Sequence, residues 1–313
     1  MSMPTLAAPG ATTDTPERFE SRASSTTRIP FAFAPYFELT KPRLVVLVLL
    51  TTSVGFWLGS STGFDVVAFV LTLVGTACVA GAACAWNQVL EHERDARMRR
   101  TARRPIPSGQ AEVGPAALFS TGLFLLGAVL IALVSPLACA VAVATFLLYV
   151  CAYTPLKPVT TLNTAVGAVP GALPPLIGWA AASGNLGTAG WVLFLIVFLW
   201  QFPHFLAIAW IYREDYERAG MRMLPCVDPT GAMTSLQSCI YAALLLPAGL
   251  LPVAAGIAGP IYAVGALAAG LLYLRQALRF SSRVSDQAAR KLLHASFLYL
   301  PVILFLLILN STR

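Results

Sequence analysis

Long apolar runs dominate the chain from residue 44 onward, and short polar stretches separate them. Each run has about 20 residues, the length that a helix needs to cross a hydrocarbon core of about 30 Å. The runs are continuously apolar and do not alternate, so they predict helices rather than a membrane β-barrel. We therefore expect an all-α integral membrane protein with nine transmembrane helices. Their predicted ranges are 44–62, 66–90, 114–134, 136–154, 162–182, 190–211, 236–256, 258–279 and 292–309.

The composition agrees with this class of protein. Hydrophobic residues make up 57% of the chain and charged residues only 11%, whereas soluble domains carry about 25% charged residues. The net charge is +7, but the bases lie between apolar runs, so they indicate membrane orientation and not nucleic-acid binding. The six cysteines show no paired metal spacing, and most lie inside apolar runs, where Cys acts as a small hydrophobe.

The bases are distributed asymmetrically between the two predicted faces. All but one of the 21 Lys and Arg residues fall before the first run, in every second loop or, for Arg275 and Arg279, at the end of the eighth run, and the exception is Arg313. The positive-inside rule makes that face cytoplasmic. The N-terminus is then inside and the C-terminus outside. All but one of the 14 acids fall on the same face, which we therefore expect to carry the chemistry.

Residues 1–35 have a different composition from the rest of the chain. They are rich in Ser, Thr, Ala and Pro and contain no hydrophobic run. This composition predicts a disordered cytoplasmic tail rather than a secretory signal, and the acids in it are atypical of an organellar transit peptide. Residues 36–313 form the predicted transmembrane domain.

The first polar constellation closes the second predicted helix. Asn87, Glu91 and Asp95 recur every four residues and form one stripe on a helix. Oxygen ligands on one face suit Mg²⁺, which is usually shared between one or two carboxylates and substrate phosphates. Because arginines follow this stripe directly, the pattern indicates a metal-bridged diphosphate. The alternative is a solvated loop whose charges form i,i+4 pairs and a topology anchor.

A second constellation closes the sixth predicted helix. Trp200, Gln201 and His204 lie in an apolar run, where polar side chains are usually paired or functional. Their spacing places His204 and Asp215 on one helix face, and Asp215 offers a second carboxylate for Mg²⁺. For His204 a structural hydrogen bond is the competing interpretation. Lys157, the only base in its loop, is either a phosphate ligand or a topology anchor.

The fifth predicted helix contains closely spaced glycines and prolines. Gly167, Pro170, Gly171, Pro174 and Pro175 predict a broken helix that lines a cavity. Close helix packing through small residues is the rival explanation.

These segments together resemble the UbiA-type intramembrane prenyltransferases, and in detail the branch that farnesylates heme B. The resemblance covers roughly residues 36–309, and it departs from the usual pattern at Glu91, where Asp is usual, and at Tyr212, where an acid is expected. The runs that carry it are N-x3-E-x3-D-x2-M-x-R-T-x2-R-P over 87–105, LTKPR over 39–43, YTPLK over 153–157, WQFPHF over 200–205 and DYERAG over 215–220.

The resemblance implies that farnesyl diphosphate and heme B are the substrates, that Mg²⁺ is the cofactor, and that heme O and diphosphate are the products. A downstream heme-modifying enzyme is an implied partner, besides membrane lipid. The implied metal and catalytic residues are Asn87, Glu91, Asp95 and Asp215. Arg100, Arg104 and Lys157 are implied to bind the diphosphate, and His204, Trp200 and Gln201 to lie on the heme side.

Three other functions remain open at this stage. A relative in the same superfamily would prenylate an aromatic or quinone precursor instead of heme. A transporter would also explain intramembrane polar groups and broken helices, but it needs access from both sides, and the polar groups here collect at one end. A passive scaffold of an oxidase assembly pathway is the third alternative.

Overall fold

The fold was taken from a computed structural model, which describes residues 1–2, 33–61 and 63–312. Helices make up nearly all of the described chain, and within it the only β-type pairing is an isolated bridge between Ala258 and Ser311. The predicted tail over 1–35 lies almost entirely outside the described residues. A short helix begins at Phe33, within the last part of that range.

Nine helices of the described residues are long and apolar enough to cross a membrane, which confirms the predicted all-α class and number of spans. Two of the nine spans are interrupted and three short helices lie outside the spans, so the described residues contain fourteen α-helices. The helices are α1 (Phe33–Leu39), α2 (Pro42–Gly59), α3 (Val66–Asp95), α4 (Val113–Val134), α5 (Pro136–Leu147), α6 (Thr154–Leu156), α7 (Asn163–Ala172), α8 (Pro174–Ser183), α9 (Thr188–Ile211), α10 (Arg213–Arg218), α11 (Leu224–Val227), α12 (Ala232–Ala254), α13 (Pro260–Ser282) and α14 (Asp286–Leu309).

Helix α3 continues five residues beyond its predicted end at residue 90 and has 30 residues in all. At 1.5 Å per residue it is about 45 Å long, which exceeds the hydrocarbon core of about 30 Å. Its last turns therefore extend past the apolar layer and carry Asn87, Glu91 and Asp95 on one continuous helix, as the spacing predicted.

The predicted break in the fifth span is confirmed, since α7 ends at Ala172 and α8 begins at Pro174. Cavity lining and close packing both occur among its glycines. Gly167 and Gly171 line a cavity. Gly178 instead packs on α2, where a Cβ atom would lie only 2.0 Å from the carbonyl oxygen of Thr52.

The fourth span contains a feature that its sequence did not reveal. A π-helical segment, Leu148–Tyr153, joins α5 to α6. Within it the carbonyl oxygen of Tyr149 accepts a hydrogen bond from Thr154 Oγ1 at 2.9 Å. Such segments often mark functional sites, and this one places Tyr149 and Tyr153 in the wall of the cavity.

Helix α9 is the central helix of the bundle. Of its most apolar stretch 72% is buried, against 17% for α4, whose large side chains face outward. Around α9, the α13 and α14 helices contribute Tyr273 and Tyr299, whose rings stack with 5.4 Å between centroids. This position explains why α9 carries a predicted site, because its side chains reach the interior of the bundle from its middle to its end.

Candidate active site

One cavity of about 480 Å³ opens among α2, α3, α7, α9 and α14. This volume is within the range of about 300–1,000 Å³ that is typical of ligand pockets. Nine of the ten residues that the sequence singled out line it, and Asp215 does not. The nine are Asn87, Glu91, Asp95, Arg100, Arg104, Lys157, Trp200, Gln201 and His204.

Asn87 connects three parts of the chain at the base of this cavity. Its side chain is 2% exposed. Its Nδ2 donates a hydrogen bond to Thr154 Oγ1, and its Oδ1 accepts one from Lys41 Nζ, each at 3.2 Å. A buried amide with both ends paired is fixed in orientation, so Asn87 holds α3, the end of the fourth span and the start of α2 in register.

Glu91 lies one turn further along α3 and is ion-paired with Lys157. The distance from Lys157 Nζ is 2.8 Å to Oε1 and 3.0 Å to Oε2. The ammonium also lies 4.6 Å from the centroid of the Tyr153 ring. Burial alone would lower the pKa of Lys157, but Tyr153 and Glu91 raise it above its ordinary value. Lys157 therefore carries a positive charge in the cavity.

The loop after Lys157 is held in place by a second loop. The Arg222 amide donates a hydrogen bond of 2.7 Å to the carbonyl oxygen of Lys157. Asn163 Nδ2 then donates to the carbonyl oxygen of Arg222 at 2.9 Å. Both loops lie on the predicted cytoplasmic face. The two hydrogen bonds join them and so fix the backbone that carries Lys157.

Asp95 is the last residue of α3 and is fully buried. Its Oδ2 accepts a hydrogen bond of 2.6 Å from the Arg104 guanidinium. Its Oδ1 is buried and has no hydrogen-bond partner among the described residues. An ionised oxygen left without a partner is costly, and a bound cation is one way to satisfy it.

Lys41 lines the cavity, and it lies in the LTKPR run, to which the sequence pattern assigned no role. Its backbone has φ 50°, and within the described residues it is the only non-glycine residue with a positive φ. Burial and the nearby charges of Arg104 and Lys157 lower the pKa of Lys41 to about 8. A strained residue that holds its ammonium among other cations suits an anion-binding site.

The segment around Tyr212 and Tyr216 contacts Arg100, a base that lines the cavity. Its acid, Asp215, does not line the cavity. The Arg100 guanidinium lies 4.8 Å from the Tyr212 ring centroid and 4.7 Å from that of Tyr216. Asp215 is buried and paired with Arg218 on the same short helix. The predicted common helix face of His204 and Asp215 is wrong, because α9 ends at Ile211 and Asp215 lies on α10.

The heme-side candidates differ in how many of their polar atoms are already bonded. Trp200 Nε1 donates to the carbonyl oxygen of Ser296 at 2.9 Å. Gln201 Nε2 donates to two carbonyl oxygens, those of Ala168 and Val197, at 3.1 Å each. His204 uses its Nδ1 alone, in a 2.7 Å contact with Ser296 Oγ. No sequence pattern points to Ser296, which lies 92 residues from His204.

The cavity is charged at one end and apolar at the other. Five bases and two carboxylates of the described residues line the charged end, which leaves a surplus of positive charge. Leucine, valine and aromatic side chains line the other end. The bases are Lys41, Arg43, Arg100, Arg104 and Lys157. This arrangement can bind a polyanionic head group whose long apolar tail extends into the bundle.

The oxygen ligands of the cavity suit a metal ion that is shared with a substrate phosphate. Within the described residues, no group of three or more His, Cys, Asp or Glu side chains could hold an ion by itself. Glu91 and Asp95 with the amide oxygen of Asn87 are too few for a cage, but they fit Mg²⁺, which usually takes one or two carboxylates and completes its shell with phosphate and water. The unpaired Oδ1 of Asp95 supports this fit.

Three comparisons with known proteins agree with this geometry. The UbiA prenyltransferase family matches residues 48–300. A protoheme IX farnesyltransferase of Solibacter usitatus is 44% identical over 285 residues, which cover 88% of this chain and 98% of that protein. A solved digeranylgeranylglyceryl phosphate synthase aligns with a TM-score of 0.76 at 19% identity, over 90% of this chain and 98% of its own. A UbiA homologue from Archaeoglobus fulgidus bound to GPP and Mg²⁺ aligns at 0.63 and 15% identity, over 88% and 99%.

Proposed function

The chain belongs to the UbiA prenyltransferase family, and we propose that it transfers the farnesyl group of farnesyl diphosphate to a vinyl group of heme B. The products are heme O and diphosphate. The 44% identity to a protoheme IX farnesyltransferase over nearly the whole of that protein supports heme B as the acceptor. The protein is a multi-pass membrane protein, and the bacterial source of that relative supports the inner membrane as its location.

The two-ended cavity is the observation that carries this function. Its charged end has the bases for a diphosphate, and its apolar end continues into the core of the bundle. A farnesyl chain needs an apolar slot, and its allylic carbon must lie between the two ends. The cavity offers both surfaces in one space, which a scaffold does not need. A transporter would instead need polar groups that lead to both faces of the membrane.

Lys41, Arg104 and Lys157 are the central diphosphate ligands in this proposal. Each lines the cavity, and the last two already bind the carboxylates of Asp95 and Glu91. When a diphosphate enters, its oxygens compete for the same ammonium and guanidinium groups. Bidentate contact suits Arg104, whereas the two lysines act as point charges. Arg100, whose guanidinium contacts the rings of Tyr212 and Tyr216, lines the same cavity and is a further candidate ligand.

Asn87, Glu91 and Asp95 are the residues that we propose for Mg²⁺. The GPP and Mg²⁺ bound to the Archaeoglobus fulgidus homologue, which shares this fold, support Mg²⁺ as the ion. When bound, the ion neutralises charge on the leaving diphosphate. Asp215 is the proposed carboxylate for a second ion. It would have to release Arg218 and reach the cavity from α10.

The proposed reaction breaks the bond between the allylic carbon of the farnesyl chain and its diphosphate oxygen. The electron pair leaves with the diphosphate, where the bases stabilise the developing negative charge. The terminal vinyl carbon of the heme then forms a bond to the allylic carbon. The cation left on the inner vinyl carbon is captured by water, which loses a proton and yields a hydroxyethylfarnesyl group. The apolar walls keep water from the allylic cation before that bond forms.

The heme-side residues take different roles because of their bonding. Gln201 is saturated by two backbone carbonyls and packs so closely on α7 that a Cβ at Gly171 would meet its Oε1 at 2.1 Å. It therefore shapes the wall. Trp200 offers a ring face to the cavity while its Nε1 is bonded. His204 retains one ring nitrogen for the acceptor.

Incubation of the purified protein with heme B, farnesyl diphosphate and Mg²⁺ tests the proposal. The expected product is a heme heavier by one farnesyl group and one hydroxyl group in the mass spectrum. A reaction without divalent metal is the control. Transfer to 4-hydroxybenzoate-type acceptors alone would overturn the choice of heme. Substrate flux in proteoliposomes without any product would favour the transporter.

Two further parts of the proposal concern the ends and the surroundings of the chain. We place the N-terminus in the cytoplasm and the C-terminus outside, with residues 1–35 as a disordered tail before a domain over 36–313. The charge asymmetry supports this orientation.

A downstream heme-modifying enzyme is proposed as the recipient of heme O, because the farnesylated product is too apolar to cross water efficiently.

A further inference from the structure

His204 is the only histidine among the described residues that lines the cavity. The chain has three histidines. His294 is exposed on α14, and His92 bonds the carbonyl oxygen of Val89 through its Nδ1 at 2.8 Å. His204 lies on α9 in the middle of the bundle and is 8% exposed. It is therefore the one imidazole placed to meet a substrate.

The contacts of Ser296 assign the tautomer of this imidazole. Ser296 Oγ lies 2.6 Å from the carbonyl oxygen of Leu293 and 2.7 Å from His204 Nδ1. A carbonyl oxygen can only accept, so the single hydroxyl proton of Ser296 lies on the Leu293 side. Ser296 Oγ must then accept from His204, which places the proton on Nδ1. Nε2 consequently carries the lone pair.

The ring is also fixed in orientation by its apolar neighbours. It stacks on Trp200 with 5.0 Å between centroids and an interplanar angle of 24°. Phe297 meets it edge-on at 5.2 Å. With Nδ1 bonded to α14, Nε2 is the nitrogen left for the cavity, and it forms no hydrogen bond to a described residue. Such a basic nitrogen, held by a partner on its other side, is the usual form of a metal-binding histidine.

We propose that His204 Nε2 is an axial ligand of the iron of the substrate heme, and that Ser296 is a positioning residue that keeps this nitrogen unprotonated. The inference rests on the proposed function, because it assumes a heme in the cavity. Iron ligation anchors the macrocycle on α9 while its vinyl group faces the allylic carbon. Ligation forms one Fe–N bond and transfers no electron. The alternative is that His204 only joins α9 to α14.

Optical and EPR spectra of the purified protein with ferric heme B, without farnesyl diphosphate, test the ligation. We expect the wild type to show the signature of a histidine-bound heme. His204→Ala should lose it, and added imidazole should restore it by entering the vacated space. His294→Ala is the matched control and should match the wild type. Identical spectra for wild type and His204→Ala would overturn the proposal.

Variants of Ser296 test the positioning role. Ser296→Ala removes the acceptor for Nδ1–H, so heme affinity should fall about 10–100-fold, as for other partners of ligating histidines. Ser296→Thr keeps a hydroxyl and should restore both affinity and spectrum. If Ser296→Ala only lowered the unfolding temperature and left the heme spectrum and affinity unchanged, Ser296 would be merely structural.

The spectra also separate this proposal from the proposed function. A histidine-bound heme without any farnesylated product after addition of the second substrate would overturn the proposed reaction but leave the ligation intact. Product formation with unchanged spectra in His204→Ala would overturn the ligation and leave the reaction intact.

Discussion

Lys157 Nζ lies 3.0 Å from Glu91 Oε2, although 66 residues separate the two in the sequence. Both side chains are nearly buried, with exposed fractions of 11% and 5%. The pair therefore joins the fourth span to α3 where the cavity is most charged. It also holds two groups with different proposed partners, since the carboxylate is assigned to a cation and the ammonium to a phosphate.

Separating this pair should affect stability and activity differently. Lys157→Met leaves Glu91 charged and unpaired, and loss of one partner of a buried pair costs about 3–5 kcal/mol. The double variant Lys157→Met with Glu91→Gln should recover most of that stability but not turnover. Thermal unfolding in detergent and product formation measure the two effects. Recovery of turnover in the double variant would contradict the assignment of both groups to the substrate.

Asp95→Asn should lower turnover at least about 100-fold while the protein still inserts and folds. The amide keeps the shape of the side chain but removes the charge that Arg104 and the proposed ion both use. Asp65→Asn is the matched control, because Asp65 caps α3 at its opposite end and Asn is an equally good cap. Product formation is measured across a Mg²⁺ series. Wild-type turnover in Asp95→Asn would remove Asp95 from the metal site.

Asp215→Asn tests the second carboxylate. If Asp215 holds a second ion, the variant should lose turnover and need about tenfold more Mg²⁺ for its residual rate. Glu214→Gln is the control, since Glu214 is the exposed neighbour on the same helix. An unchanged Mg²⁺ requirement and a normal rate would show that Asp215 serves only its pair with Arg218.

Substitutions of Lys41 separate its charge from its backbone. Lys41→Ala and Lys41→Gly both remove the ammonium, so both should raise the KM for farnesyl diphosphate by about tenfold or more. Lys41→Gly should be more stable than Lys41→Ala by about 1 kcal/mol, because the positive φ strains alanine but not glycine. Steady-state kinetics and thermal unfolding are the measurements. Equal KM values in wild type and both variants would exclude Lys41 from the diphosphate site.

Gly178→Ala should destabilise the protein by about 1–3 kcal/mol, because the added methyl would overlap the backbone of α2 at Thr52 and backbone cannot turn aside. Gly122→Ala is the control. It lies within α4, with no neighbouring atom within 4 Å of the added Cβ, so its stability should be unchanged or slightly higher. Equal unfolding temperatures for both variants would contradict the close packing of α8 on α2.

The sequence by itself determined the class of fold, the number of spans and nine of the residues that line the cavity. Apolar runs of membrane-spanning length have few alternatives in lipid, and the four-residue spacing of Asn87, Glu91 and Asp95 is a property of one helix. Such local patterns can be read along the chain. The motif resemblance added the identities of the two substrates, farnesyl diphosphate and heme B.

The tertiary structure alone decided which groups are paired. Contacts of Lys41 with Asn87, Lys157 with Glu91 and Ser296 with His204 span 46, 66 and 92 residues. No periodicity connects positions so far apart, because such contacts depend on how the helices pack. The same is true of Asp215, since the end of α9 at Ile211 places it on a separate helix beside Arg218 and away from the cavity wall.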